Sequence, residues 1–220
     1  MVGKMTASGE LTADRIIAAG RQLIMRRGYS GFSYADVSEA IDIRKASIHH
    51  HFPAKTDLVV AVLNAWRDAF EADVASLEAS GADAIAQLRA YIGHWERCIA
   101  DDTAPFCVAG MLAAELPSLP EDVAQAVKAF FENLTAWLER VLEAGVKSDL
   151  IELRSSVQTE AATLVSLVYG AMLAARVHGN VAAFKDVAEG AVERLVKVAG
   201  STQTAGIKHR AKRGVNVSTN

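Results

Sequence analysis

Leu58, Val62, Trp66, Phe70, Val74 and Leu77 recur every three or four residues, a period that aligns all six along one face of a helix. That single amphipathic helix, running from just after Pro53 to about Ala79, constrains the chain more than any other feature. Ser80-Gly81 ends it. No segment alternates with a strand period over a useful length. Pro105, Pro117, Pro120, Gly145 and the His178-Gly179-Asn180 break punctuate further helical stretches, at about 83–100, 107–115, 121–146, 157–178 and 181–199. An all-α fold is expected, with no internal repeat and no Gly-rich linker.

Upstream lie three shorter helical segments. Ile16, Gly20, Leu23 and Arg27 step along one face, and Arg26-Arg27 before Gly28 suit a helix C-terminus, giving a helix over about Thr12–Arg27. Ser33 with Asp36 three residues on predicts a capping box. Val37, Ala40 and Ile41 supply the buried stripe of a two-turn helix, and Asp42 tolerates the left-handed turn that must follow. A third helix spans Lys45–His51, anchored by Ile48 and Phe52 and stopped by Pro53.

A short helix, a tight turn and a second short helix braced by a preceding one is a helix-turn-helix, whose second helix enters a DNA major groove. Arg44 to His51 contains no acid, surrounds one apolar position with polar groups, and has small residues, Ala46 and Ser47, for close approach. Charge agrees. Residues 1–60 carry 8 Lys and Arg against 6 Asp and Glu, residues 61–200 carry 11 against 20, and residues 201–220 carry 4 against none, so of the folded segments only the first can face a polyanion. The consecutive histidines project about 100° apart along the helix and cannot converge on one metal ion.

The stretch from Phe32 to Leu58, above all Ser47-Ile48-His49-His50-His51-Phe52-Pro53-Ala54-Lys55, resembles the DNA-binding signature of the TetR/AcrR transcriptional regulators. The resemblance implies a three-helix DNA-binding domain joined by a long fourth helix to a ligand-binding and dimerisation domain. It implies phosphate contacts from Ser33, Tyr34 and Lys55, and recognition-helix roles for Arg44, Lys45, Ser47, His49 and His50. Asp42, Ala46 and His49 depart from the family's usual Gly, Gly and Tyr. A histidine donates to phosphate more strongly when protonated, so DNA affinity is expected to fall as pH rises through about 6.5.

In the body, Tyr91, His94, Trp95, Met111, Phe130, Phe131, Trp137, Tyr169 and Met172 read individually as packing residues and, given the resemblance, collectively as walls of an effector pocket. His94 and Cys98 are one turn apart and can touch. Cys107 precedes a helix, where a thiol's pKa falls, and the stretch from Cys107 to Leu116 resembles the subgroup that represses N-ethylmaleimide-reductase operons. Cys107 therefore reads either as a buried inert thiol or as an electrophile sensor. The two C-terminal helices present wide apolar faces with small residues, expected to pair with a second copy.

The resulting layout is a mobile N-terminus over 1–10, a DNA-binding domain over 11–57, a ligand-binding and dimerisation domain over 58–200, and a basic tail over 201–220, read either as solvated or as a polyanion contact. No Gly-rich phosphate loop, Gly-x-Ser-x-Gly turn or His-Glu-x-x-His pattern is present, so no enzyme is expected. Two cysteines, no apolar run of about 20 residues and no signal segment suggest a cytoplasmic protein without a membrane partner. The expected function is a repressor that binds a palindromic double-stranded DNA operator as a homodimer and is released by a small molecule. No cofactor or metal is expected. The alternative is a small-molecule-binding helical protein without specific DNA binding.

Overall fold

The computed structural model describes residues 7–197, with side chains from residue 11 onward. Nine α-helices occur among them: α1 (Ala7–Arg27), α2 (Tyr34–Ile41), α3 (Lys45–His51), α4 (Lys55–Ala79), α5 (Ala84–Ala100), α6 (Val108–Ala113), α7 (Glu121–Lys147), α8 (Val157–His178) and α9 (Val181–Glu193), with a 3-10 turn over Leu116–Ser118. Helix α1 thus begins five residues before the expected start at Thr12, inside the span expected to be mobile. The expected basic tail lies outside the described residues.

Local chemistry sets the first three helices. Ser33 Oγ accepts from the Ala35 N–H and the Asp36 carboxylate accepts from the Ser33 N–H at 2.8 Å, closing the capping box on α2. Asp42 ends that helix at φ 50°, ψ 55°, the left-handed turn that brings α3 across it. Asp57 accepts from the Ala54 N–H at 2.8 Å and starts α4 immediately after Pro53.

Ile16, Ile24, Met25, Val37, Ile48 and Leu58 are buried together and hold α1 to α4 as one unit. Helix α4 then continues as a spine, packing on α1 near its start and on α7 further along. Helices α5, α7, α8 and α9 complete the body around the fully buried Trp137 and Phe184. Removing these rings and the more numerous aliphatic side chains around them from water supplies that cohesion, at about 25 cal/mol per Å² of apolar surface.

The periodicity suggests that the last helix reaches about 199, but it stops at Glu193. The chain instead turns to form an isolated bridge between Val196 and Ile151, with the Glu152 N–H donating to Leu195 O and the Lys197 N–H to Leu150 O, each at 2.9 Å. Pairing with the α7–α8 loop satisfies backbone groups that another helical turn would leave to water. Helix α8 is long and apolar enough to span a bilayer by length and composition. Here it lies in the bundle, with Ala161, Val168, Met172 and Ala175 buried and Leu173 and Val177 facing outward.

Candidate functional site

Helix α3 is a platform with one anchor. Ile48 is completely buried, whereas Arg44, Lys45, Ala46, Ser47, His49 and His50 are all exposed. Arg44 has extended backbone at the helix N-cap, so its guanidinium and the Lys45 ammonium start the exposed ridge. His51 is half-buried and its ring meets Phe52 at 6.4 Å.

Three residues matched to phosphate contacts are engaged within the protein. Ser33 is committed to its cap. The Tyr34 hydroxyl approaches Phe52 O at 2.8 Å and Ala54 O at 2.6 Å, tying the α2 start to the α3–α4 turn, and burial with the nearby Asp57 charge pushes its pKa up to about 12. Lys55 is engaged as well. Its ammonium turns inward, donates to Tyr29 O and Phe32 O at 2.5 Å each, and sits over both rings at 4.5 and 4.2 Å. Burial holds its pKa below the usual lysine value, partly offset by Glu115 and Asp36. The His49 ring packs edge-on to Tyr34, with Nδ1 3.2 Å from Pro53 O. If that nitrogen carries the proton, Nε2 of the neutral ring is an acceptor, and donation to phosphate requires the imidazolium.

Four contacts pin the C-terminal end of α1 to the body. Gln22 donates to Thr103 O at 3.2 Å, Arg26 pairs with Asp102 at 2.7 Å, and Arg176 of α8 reaches Met25 O at 3.2 Å and Arg26 O at 3.3 Å. The fourth is the Glu115 carboxylate, which accepts from the Tyr29 N–H at 2.7 Å and the Ser30 N–H at 3.1 Å. It passes so close to Gly28, at φ 72°, that a β-carbon there would stand 2.1 Å from Oε1. Burial raises the Glu115 pKa, but the hydrogen bonds from Ser30 and Tyr29 and the Lys55 charge outweigh it and hold the group below its ordinary value.

A cleft of about 710 Å³ opens above these pins, between the middle of α1 and helices α4, α5 and α7. Its depth is apolar, with Val62, Trp95, Phe130 and Trp137 buried, and its rim carries the exposed Asp14, Arg21, Asp73 and Arg97. Tyr91, His94, Trp95, Phe130 and Trp137 of the expected pocket line it. Cys98, Cys107, Met111, Tyr169 and Met172 do not. Met172 and Cys107 are fully buried in the core, Tyr169 packs on Phe106 and Phe131, Met111 receives Arg176, and Cys98 meets the outer nitrogen of His94 at 3.6 Å.

The wall contributed by α1, from Asp14 to Arg21, was not visible in the sequence, because which faces of distant helices meet is not encoded in local period. Cys107 also differs from its helix-start expectation. Burial pushes its thiol up, against hydrogen bonds that include the Tyr169 hydroxyl at 3.1 Å, and desolvation outweighs the dipole of a six-residue helix. Burial also pushes up Cys98 and pulls His94 down.

Comparison with known proteins agrees with this geometry. Residues 16–62 match the model for bacterial regulatory proteins of the tetR family, and residues 84–191 match a tetracyclin repressor-like C-terminal domain. A TetR-family transcriptional regulator from Agrobacterium tumefaciens superposes with a TM-score of 0.84 at 46% identity, over 86% of this chain and all of that one. A TetR regulator from Legionella pneumophila gives 0.76 at 30% identity, over 89% of this chain and all of that one. The HTH-type transcriptional repressor NemR of Escherichia coli is 26% identical over 170 residues, 76% of this chain and 84% of that one. The chain belongs to the TetR family of bacterial transcriptional regulators, with a DNA-binding helix-turn-helix at its N-terminus and a body similar to that of the NemR repressor.

Proposed function

We propose that this protein is a cytoplasmic, ligand-responsive repressor that grips a palindromic operator as a homodimer and lets go when a small molecule fills the α1–α4–α5–α7 cleft. The observation that carries the reading is that one helix belongs to both parts: α1 braces the DNA-reading pair and also walls the cleft. Arg44, Lys45, Ser47, His49 and His50 are the groups assigned to DNA. Ser33, Tyr34 and Lys55 are assigned to holding the frame that aims them.

Dimerisation through α8 and α9 is supported by the exposure of Leu173 at 55% and Val177 at 71%. Open space stands around Gly170 and Gly190, room for a second copy to approach closely. A two-fold pair presents its recognition helices to major grooves one helical turn apart, about 34–36 Å.

Release is a shift in population. A molecule seated against Ile17 and Ala18 pushes the middle of α1 while the pins at residues 22–30 hold its far end, tilting the reading pair out of register with its partner. Moving such an equilibrium from 1:99 to 99:1 takes about 5.5 kcal/mol of preference for the released state.

Fluorescence anisotropy with duplexes from the DNA flanking its own gene, against scrambled duplexes, tests the reading. Tight, salt-sensitive binding to one palindrome, lost in Arg44→Ala, is expected. Equal weak binding to every duplex would refute it and favour a helical ligand-binding protein without an operator.

A further inference from the structure

The polar groups deep in the cleft are neutral, and one of them is a donor that no acceptor of the protein engages. Asp14, Arg21, Asp73 and Arg97, the charged lining residues, are all exposed at the rim. Deeper in, the lining consists of rings packed against one another, with Phe70–Trp137 at 5.7 Å, Tyr91–Trp137 at 5.4 Å and Trp66–Trp95 at 6.1 Å. Among the described residues the Tyr91 hydroxyl finds no acceptor in hydrogen-bond geometry. The Trp95 N–H lies near its oxygen and eases the phenolate form slightly, without meeting that geometry. The indole N–H groups of Trp95 and Trp137 also lack partners but are sealed by their neighbours. Tyr91 is not among the sealed groups, and it lines the cleft.

We propose that the cleft takes a neutral, ring-bearing molecule with a carbonyl-type acceptor oxygen, and that the Tyr91 O–H is the donor that selects it. This rests on the cleft being the effector site. Flat rings suit walls of this kind because aromatic pairs favour offset and edge-to-face contact. The half-buried Tyr91 O–H is open to the cleft, so a ligand that displaces water from it must supply an acceptor in exchange or leave the donor unsatisfied, which favours a ligand carrying such an oxygen. Net charge on the ligand is disfavoured. Burial, together with the nearby Cys107 thiol, pushes Tyr91 well above an ordinary phenol, and burial pulls His94 down towards its neutral form, so these two groups supply neither a cation for an anionic ligand nor an anion for a cationic one.

Fluorene, 9-fluorenone and fluorene-9-carboxylate share one ring system and differ in the group at a single carbon. Calorimetric titration of the full-length protein is expected to give roughly 3- to 10-fold tighter binding of fluorenone than of fluorene, the ratio one neutral hydrogen bond supplies. The carboxylate should bind at least tenfold more weakly than fluorenone. In Tyr91→Phe the fluorenone preference should vanish while fluorene affinity stays within twofold, which also reports that the cleft is intact. Equal binding of fluorene and fluorenone by the unaltered protein, a preference surviving in Tyr91→Phe, strong carboxylate binding, or no binding of any of the three would each overturn the assignment; none but the second depends on the variant folding. Fluorenone that binds with the expected selectivity but leaves operator affinity unchanged would refute the effector reading and leave the ligand class standing.

Discussion

Replacing Gly28 by alanine probes the joint between the reading domain and the body with a magnitude that separates into two parts. At φ 72° an alanine pays the left-handed penalty of roughly 1–2 kcal/mol. Its β-carbon would also occupy the place of Glu115 Oε1, 2.1 Å away, so the carboxylate must leave the Tyr29 and Ser30 N–H groups. Charge-assisted hydrogen bonds are worth about 1.5–3 kcal/mol each when well buried, and partial exposure here lowers the pair to roughly 1–3 kcal/mol in all. Gly28→Ala should therefore cost about 2–5 kcal/mol in the unaltered protein but only about 1–2 kcal/mol in a Glu115→Ala background. Urea unfolding of the four proteins at one fixed concentration measures the cycle. The same cost in both backgrounds would refute the reasoning, since it would mean that Glu115 does not press on that glycine.

Because the Glu115 pKa is held below its ordinary value of 4.5 in the folded chain, its contribution is complete above about pH 4.5 and is lost as pH falls through the folded value. Glu115→Gln should flatten that part of the stability profile, which acid titration followed by circular dichroism would check. Ala18→Trp puts a permanent ring against the α1 wall, and operator affinity in anisotropy should drop at least tenfold with helicity unchanged; full affinity would mean that the cleft does not act through α1. Val177→Glu places a charge on the exposed face of α8 and should give a monomer in sedimentation velocity, with operator binding lost alongside. Iodoacetamide at neutral pH should label the half-buried Cys98 before Cys107, whose modification should track unfolding; mass spectrometry after brief exposure distinguishes them.

What could be read directly from the sequence was local. Ser33, Asp36 and Asp42 act on backbone within five residues of themselves, so the capping box and the left-handed turn follow from residue type alone. The exposed ridge of α3 follows equally, because Ile48 is its one buried position. Lys55 could not be read this way, since the carbonyls that capture it lie 23 and 26 residues away, in the α1–α2 turn. The end of α9 depends on a partner strand residue, Ile151, from the far side of α8. The cleft was half legible: aromatic residues on α5 and α7 announced a cavity, but helical period says nothing about whether α1 or α8 closes it.

That α1 closes the cleft bears on how such proteins can be recombined. A chimaera joined at Pro53 would carry α1 away with the reading head, so the recipient body would receive a foreign wall and a changed ligand preference along with a new operator. The separable unit is smaller than the domain. Exchanging the exposed positions of Arg44 to His50 alone, on an unchanged α1, should redirect the operator while leaving the choice of effector untouched.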